Sequence, residues 1–147
     1  MSDIDLFPLF LSLQVAVFAT GIALLLGTPL AWALARLDFP GRGVASSLVM
    51  LPMVLPPTVL GYYLLVVIGR QGAIGRFLED TFGIALVFTW QAAVIASSLV
   101  SLPLLVRAAQ AAFEDVDRTV ESAARTLGRS NPAVFLTVTI PLAWRGI

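Results

Sequence analysis

A chain of 147 residues that is 59% hydrophobic and only 12% charged is an integral membrane protein by composition. Ordinary soluble domains are about half apolar and about a quarter charged. With no cysteine and no histidine, disulfides, thiolate or imidazole metal ligands, cysteine nucleophiles and histidine acid–base chemistry are all excluded; nine arginines balance nine acids, and a net charge of zero gives no sign of nucleic-acid binding.

Three charge-free runs mark the spans: residues 6–35, 43–69 and 81–106, of 30, 27 and 26 residues. A bilayer core takes about 20 apolar residues of helix, so each run crosses once with some tilt and none crosses twice. The expected fold is an all-α polytopic bundle, one transmembrane domain over residues 1–147, with spans at about 7–35, 43–69 and 84–112. The N-terminus is not a cleavable signal, because Asp3 and Asp5 stand where a basic region belongs and the apolar run is too long. With alternating sides, Arg36, Arg42, Arg107, Arg118, Arg125, Arg129 and Arg145 face one side and only Arg70 and Arg76 the other. That asymmetry puts the first group in the cytoplasm, the N-terminus outside, and residues 70–80 in an external loop.

The first span carries Gly21, Gly27 and Pro29, and the third carries Ser97, Ser98, Ser101 and Pro103. Small residues and hydroxyls let membrane helices approach closely, so helix packing is the expected use of these positions. The second span contains Pro52, then Pro56-Pro57-Thr58, then Gly61-Tyr62-Tyr63. Each proline removes a backbone donor, and residue 56 is itself pushed out of α geometry by the proline that follows. A break at Pro52, Pro56 and Pro57 is therefore expected. The freed carbonyls must be buried in protein or line a wet cavity. Two readings stay open: a kink that shapes the bundle, or a polar solute pathway beside Thr58, Tyr62 and Tyr63.

After the third span the chain turns polar. Asp117 can cap a helix that runs to about Leu127, with Val120, Ala123, Ala124 and Leu127 on one face. Gly128 stands where a helix stop needs positive φ. Asn131 as cap and Pro132 at the first helical position start a second helix, which Pro141 ends. Residues 117–141 are too polar to span, and either offer a small-residue patch to a partner or lie on the lipid surface.

The spacing of Ala123, Ala124, Gly128, Val138, Ile140 and Pro141 resembles the cytoplasmic "EAA" loop of ABC importer permeases. Ser122 stands where the first acid often does, with Glu121 one position earlier. Phe39-Pro40-Gly41-Arg42, Leu55-Pro56-Pro57-Thr58-Val59-Leu60-Gly61-Tyr62, Gly69-Arg70-Gln71-Gly72 and Pro103-Leu104-Leu105-Val106-Arg107 resemble molybdate-type permeases. The resemblance implies a non-catalytic subunit of the bacterial inner membrane that moves molybdate inward. Its partners would be an ATPase subunit, an extracytoplasmic oxyanion-binding protein and a second permease copy. It implies no cofactor on this chain, since ATP and magnesium belong to the ATPase. Glu121, Ala123, Ala124, Gly128 and Pro141 would form the ATPase-coupling loop, and the resemblance adds Ser101 to Thr58, Tyr62 and Tyr63 as candidate donors along the pathway. Such permeases continue past Gly-Ile into further spans, so Ile147 is expected to mark a truncation. The alternatives are a tungstate or sulfate permease and a non-transporting membrane scaffold; an intramembrane enzyme would need ionisable groups that the spans lack.

Overall fold

The computed structural model describes residues 6–83 and 85–144. Arg145 and the edges of the chain lie outside these, as does the start assigned to the third span. Among the described residues the protein is helical throughout. Helix α1 is Phe7–Arg36, α2 Arg42–Val54, α3 Pro57–Ile68, α4 Ala73–Phe82, α5 Trp90–Asp115 and α6 Arg118–Thr126. The last helix, α7, covers Asn131–Ala143.

Helices α1 and α5 have 30 and 26 residues, which is about 45 and about 39 Å of helix, enough for a hydrocarbon core of about 30 Å. They pack in parallel. The Ser98 hydroxyl donates to the Ala19 carbonyl (3.4 Å) and the Arg36 guanidinium to the Val116 carbonyl (2.8 Å), pairs 79 and 80 residues apart. Between them Gly27 lies against Leu105 and Val106. Ala19, Ala23, Gly27, Ala31 and Ala35 are buried along this seam, and small side chains there let the two backbones come close. The densest packing lies toward the C-terminal ends of both helices, where Leu34, Val106, Ala109 and Phe113 are fully covered.

Because α1 and α5 are parallel, residues 37–89 must carry the chain back across the membrane. Helices α2 and α3 lie on this return path and together count as one bent span by length and composition. Met50 on α2 accepts from Arg107 on α5 (3.3 Å), whereas Thr58 and Leu65 on α3 share a cavity with Ala96, Ala92 and Phe88 near the start of α5. The two helices meet at a 108° bend. Leu55 and Pro56 are both extended there, since each is followed by a proline that excludes α geometry. The expected break at Pro52 is corrected: Pro52 sits inside α2, because a lone proline costs the helix one hydrogen bond whereas the tandem pair removes two consecutive residues from it.

Three other boundaries differ from expectation. The connection expected as an external loop contains a helix, α4, over residues 73–82. Ile74, Phe77 and Phe82 give this helix an apolar side and Arg76, Glu79 and Asp80 a charged one. The third span starts at Trp90, where the Thr89 hydroxyl accepts from the Ala92 amide, and ends at Asp115. The last helix does not stop at Pro141. It widens into π winding over Phe135–Thr139 and continues to Ala143. Pro141 has no N–H for the Thr137 carbonyl and its ring crowds that oxygen, so the widened turn accommodates what an α turn would not.

Candidate functional site

Helix α6 begins where the sequence places it. The Asp117 carboxylate accepts from the Thr119 amide (2.8 Å), and that backbone bond, with help from the Thr119 hydroxyl, holds the carboxyl below its ordinary value. At the other end Gly128 has φ of +83°. Its amide donates to the Arg125 carbonyl (2.9 Å) and the Arg129 amide to the Ala124 carbonyl (3.3 Å), the paired bonds of a Schellman stop. The next helix is capped one residue earlier than expected, by Ser130, so Asn131 is its first residue. A short helix, a left-handed glycine and a second helix therefore lie where the spacing puts them.

The facing of α6 inverts the usual rule. Glu121 is buried at 4% exposure while Val120 is 46% and Leu127 84% exposed. Ala123 is exposed and Ala124 half-buried. The apolar stripe points outward, and the carboxylate points in.

Inside, Arg36 Nη2 lies 3.1 Å from Glu121 Oε1, and the two side chains are 8% and 6% exposed. The Thr139 hydroxyl donates to the same oxygen (2.7 Å), and Arg125 approaches the other (3.7 Å). Arg36 closes the C-terminal end of α1, and Thr139 ends the widened turn of α7. The aromatic packing follows the same route, with Phe135 edge-on to Trp32 (5.5 Å) and tilted against Phe113 (6.1 Å). Beside this cluster lies a cavity of about 550 Å³ lined by Trp32, Arg36, Arg118, Arg125 and Asn131. Neither Arg36 nor Thr139 was among the expected site residues. Arg36 and Glu121 are 85 residues apart, and the one local hint is that Glu121 lies off the Val120–Leu127 stripe. Pro141 is exposed and contributes to the site through the turn that precedes it.

The four expected pathway hydroxyls do not share one surface, which corrects the grouping. Thr58 and Tyr62 line a cavity of about 600 Å³ between α3 and the start of α5. Tyr63 meets Tyr62 edge-on at 5.9 Å and is 56% exposed. Ser101 lines a different groove, of about 480 Å³, between α1 and α5 with Ser12, Thr20 and Ser97. Its hydroxyl donates to the Ser98 carbonyl (3.2 Å). Ser101 is five residues beyond Ala96, about 140° around the helix, so the two face different neighbours.

Among the described residues no group of three or more carboxylates, histidines or cysteines is placed to hold a metal ion. The cluster at the arginine-rich end is a buried ion pair shared between α1 and α6 and bonded to α7.

Comparison with known proteins places the chain. Residues 9–147 match the family described as "Binding-protein-dependent transport system inner membrane component". The chain is 46% identical over all 147 residues to the molybdenum transport system permease protein ModB of Escherichia coli K12, covering 64% of that protein. It is 45% identical over 137 residues to ModB of Haemophilus influenzae, covering 93% of this chain and 60% of the relative. The ModB of Azotobacter vinelandii is 41% identical over 146 residues, 99% of this chain and 65% of that protein. The chain thus spans less than two thirds of the length of these relatives. With its parallel membrane helices and its helix–glycine–helix segment, it belongs to the family of inner-membrane components of binding-protein-dependent transport systems.

Proposed function

We propose that this chain forms the membrane permease part of an ATP-driven importer that moves molybdate into the cytoplasm. The observation that carries this reading is the inverted facing of α6. A helix that hides its glutamate and offers Val120, Ala123 and Leu127 to solvent is built to be covered by a partner. In a transport component of this family, the partner at the arginine-rich end is an ATPase subunit. That end faces the cytoplasm by the arginine asymmetry, and the end with α4 faces outward toward an oxyanion-binding protein. A second copy of the permease completes the membrane pathway. The cargo is inferred from the relatives, whose names specify molybdenum transport.

ATP and magnesium act on the ATPase, and the work of this chain is conformational. Closure of the ATPase pair moves the docked α6, and the spans follow. The anion then passes neutral hydroxyls, Thr58 and Tyr62 first, since residues 43–69 and 81–106 contain no ionisable group other than the two tyrosines. A buried cationic site would hold an oxyanion tightly and release it slowly. Neutral donors suit passage, and they leave selectivity to the binding protein.

The test is ATP-dependent uptake of radiolabelled molybdate by cells whose only permease carries this chain, with tungstate and sulfate as competitors. Molybdate uptake that sulfate fails to suppress supports the reading. Sulfate uptake in place of molybdate moves the cargo, and no ATP-dependent oxyanion uptake refutes the function. Thr58→Val with unchanged uptake kinetics removes that residue from the pathway.

A further inference from the structure

Helix α6 is held to the rest of the protein by very little. Among the described residues, every side-chain hydrogen bond or ion pair that joins α6 to another helix is made by Glu121. Its two interhelical partners lie on different elements: Arg36 ends the first span, and Thr139 closes the π turn of α7. The Arg36 guanidinium also holds the Val116 carbonyl at the end of α5. One carboxylate and one guanidinium therefore tie together α1, α5, α6 and α7. The junction is buried, yet it borders the cavity of about 550 Å³, which α6 lines with Arg118, Ser122 and Arg125.

We infer that Arg36, Glu121 and Thr139 form a clamp that transmits displacement of α6 to the membrane spans, making them positioning residues for coupling. The inference rests on the reading of α6 as the ATPase-docking helix. Replacing a buried ion pair by well-packed apolar side chains is often neutral or stabilising, so holding the helices together does not require one. A charge-assisted bond with fixed geometry adds directional resistance to sliding, because shearing it leaves a buried charge unpaired. Apolar contacts such as Phe135 against Trp32 can slip by comparison. The outward stripe of α6 receives the push, and the inward carboxylate hands it on. An arrangement in which α6 merely rested on the bundle would place its apolar side inward and its glutamate in water.

The experiment uses the assembled importer in proteoliposomes. It measures molybdate moved per ATP hydrolysed and, separately, retention of the ATPase on the purified permease. Glu121→Gln and Arg36→Gln are expected to lower the transport-to-hydrolysis ratio by about 5- to 150-fold, the range of ordinary intersite coupling, with the ATPase still bound. Thr139→Val, which removes the donor at nearly constant volume, is expected to lower the ratio in the same direction, and Thr139→Ser to restore it. The Arg36→Gln/Glu121→Gln double variant is expected to lose less than the two single losses combined, because both break the shared Arg36–Glu121 link. An unchanged ratio in the Thr139→Val and Glu121→Gln complexes overturns the clamp. Equal loss for Thr139→Val and Thr139→Ser also overturns it, since side-chain volume and not the hydroxyl would then matter. Failure of the unmutated complex to couple hydrolysis to oxyanion uptake refutes the docking reading itself, and is visible before any variant is made.

Discussion

Gly128 offers the sharpest perturbation of the coupling segment. Its φ of +83° lies in the left-handed region, and a Cβ built there meets nothing within 4 Å. Any cost of a side chain is therefore torsional, with no clash to add to it. An L-residue in this conformation costs about 1–2 kcal/mol. Alanine recovers about 0.4–1 kcal/mol by restricting the unfolded chain, so Gly128→Ala should be destabilising by a net amount of up to about 1.6 kcal/mol. Asparagine visits this region readily and should cost less than alanine. Valine is a true outlier there and should cost more. The bonds at stake are Arg129 amide to Ala124 carbonyl and Gly128 amide to Arg125 carbonyl, which set the angle between α6 and α7. The assay is thermal unfolding of the purified protein together with uptake per ATP in the assembled importer. Both should rank Gly, Asn, Ala, Val from best to worst. If Gly128→Val matches the unmutated protein in both measurements, the left-handed stop is not what aims α6.

Two further predictions follow from the fold. A Cβ at Gly27 would lie 2.6 Å from the end of the Leu105 side chain. Leu105 is half-buried and can turn aside for Gly27→Ala, whereas Gly27→Leu should overpack the α1–α5 seam by about 1–3 kcal/mol. Unchanged thermal unfolding of Gly27→Leu in detergent would contradict the parallel packing. Asp117 has its carboxyl lowered by the Thr119 amide, so the ionised cap favours the folded helix at neutral pH. That contribution is fully present above the ordinary carboxyl value and is lost as pH falls through the lowered one. Asp117→Ala should abolish this low-pH component in a comparison of unfolding at neutral and strongly acidic pH, and equal acid sensitivity in the two proteins would exclude the cap.

Local chemistry was legible in the sequence wherever one residue type has one physical reason to stand where it does. Charge-free runs located the spans, Asp117 and Gly128 marked the ends of α6, and the tandem prolines announced a break. Choices between equivalent positions were not legible. Pro52 is absorbed inside α2 while the chain breaks at Leu55 and Pro56 and restarts as α3 at Pro57; the difference is the count of consecutive residues barred from α geometry. Hydroxyl chemistry alone groups Ser101 with Thr58 and Tyr62, whereas its helical phase turns it toward α1. The widened turn before Pro141 was hidden because a proline can stop a helix or swell it, depending on what packs behind it. Least legible was the facing of α6. Its apolar stripe was read correctly as a stripe, but the side that meets the bundle is the one with Glu121, and the reason lies in Arg36, 85 residues away.

Contact between the outward stripe of α6 and an ATPase subunit is directly measurable. These 147 residues contain no cysteine, so an introduced thiol is the single one among them, and the unmutated importer supplies the background. Leu127, at 84% exposure on α6, and Phe77, at 62% on α4 at the opposite end, are suitable sites. In membranes containing the assembled importer, Leu127→Cys should crosslink to the ATPase subunit through a short thiol-reactive reagent, with a yield that changes when ATP is added. Phe77→Cys should not crosslink to it. No crosslink from Leu127→Cys, or one from Phe77→Cys in its place, would show that α6 is not the docking helix.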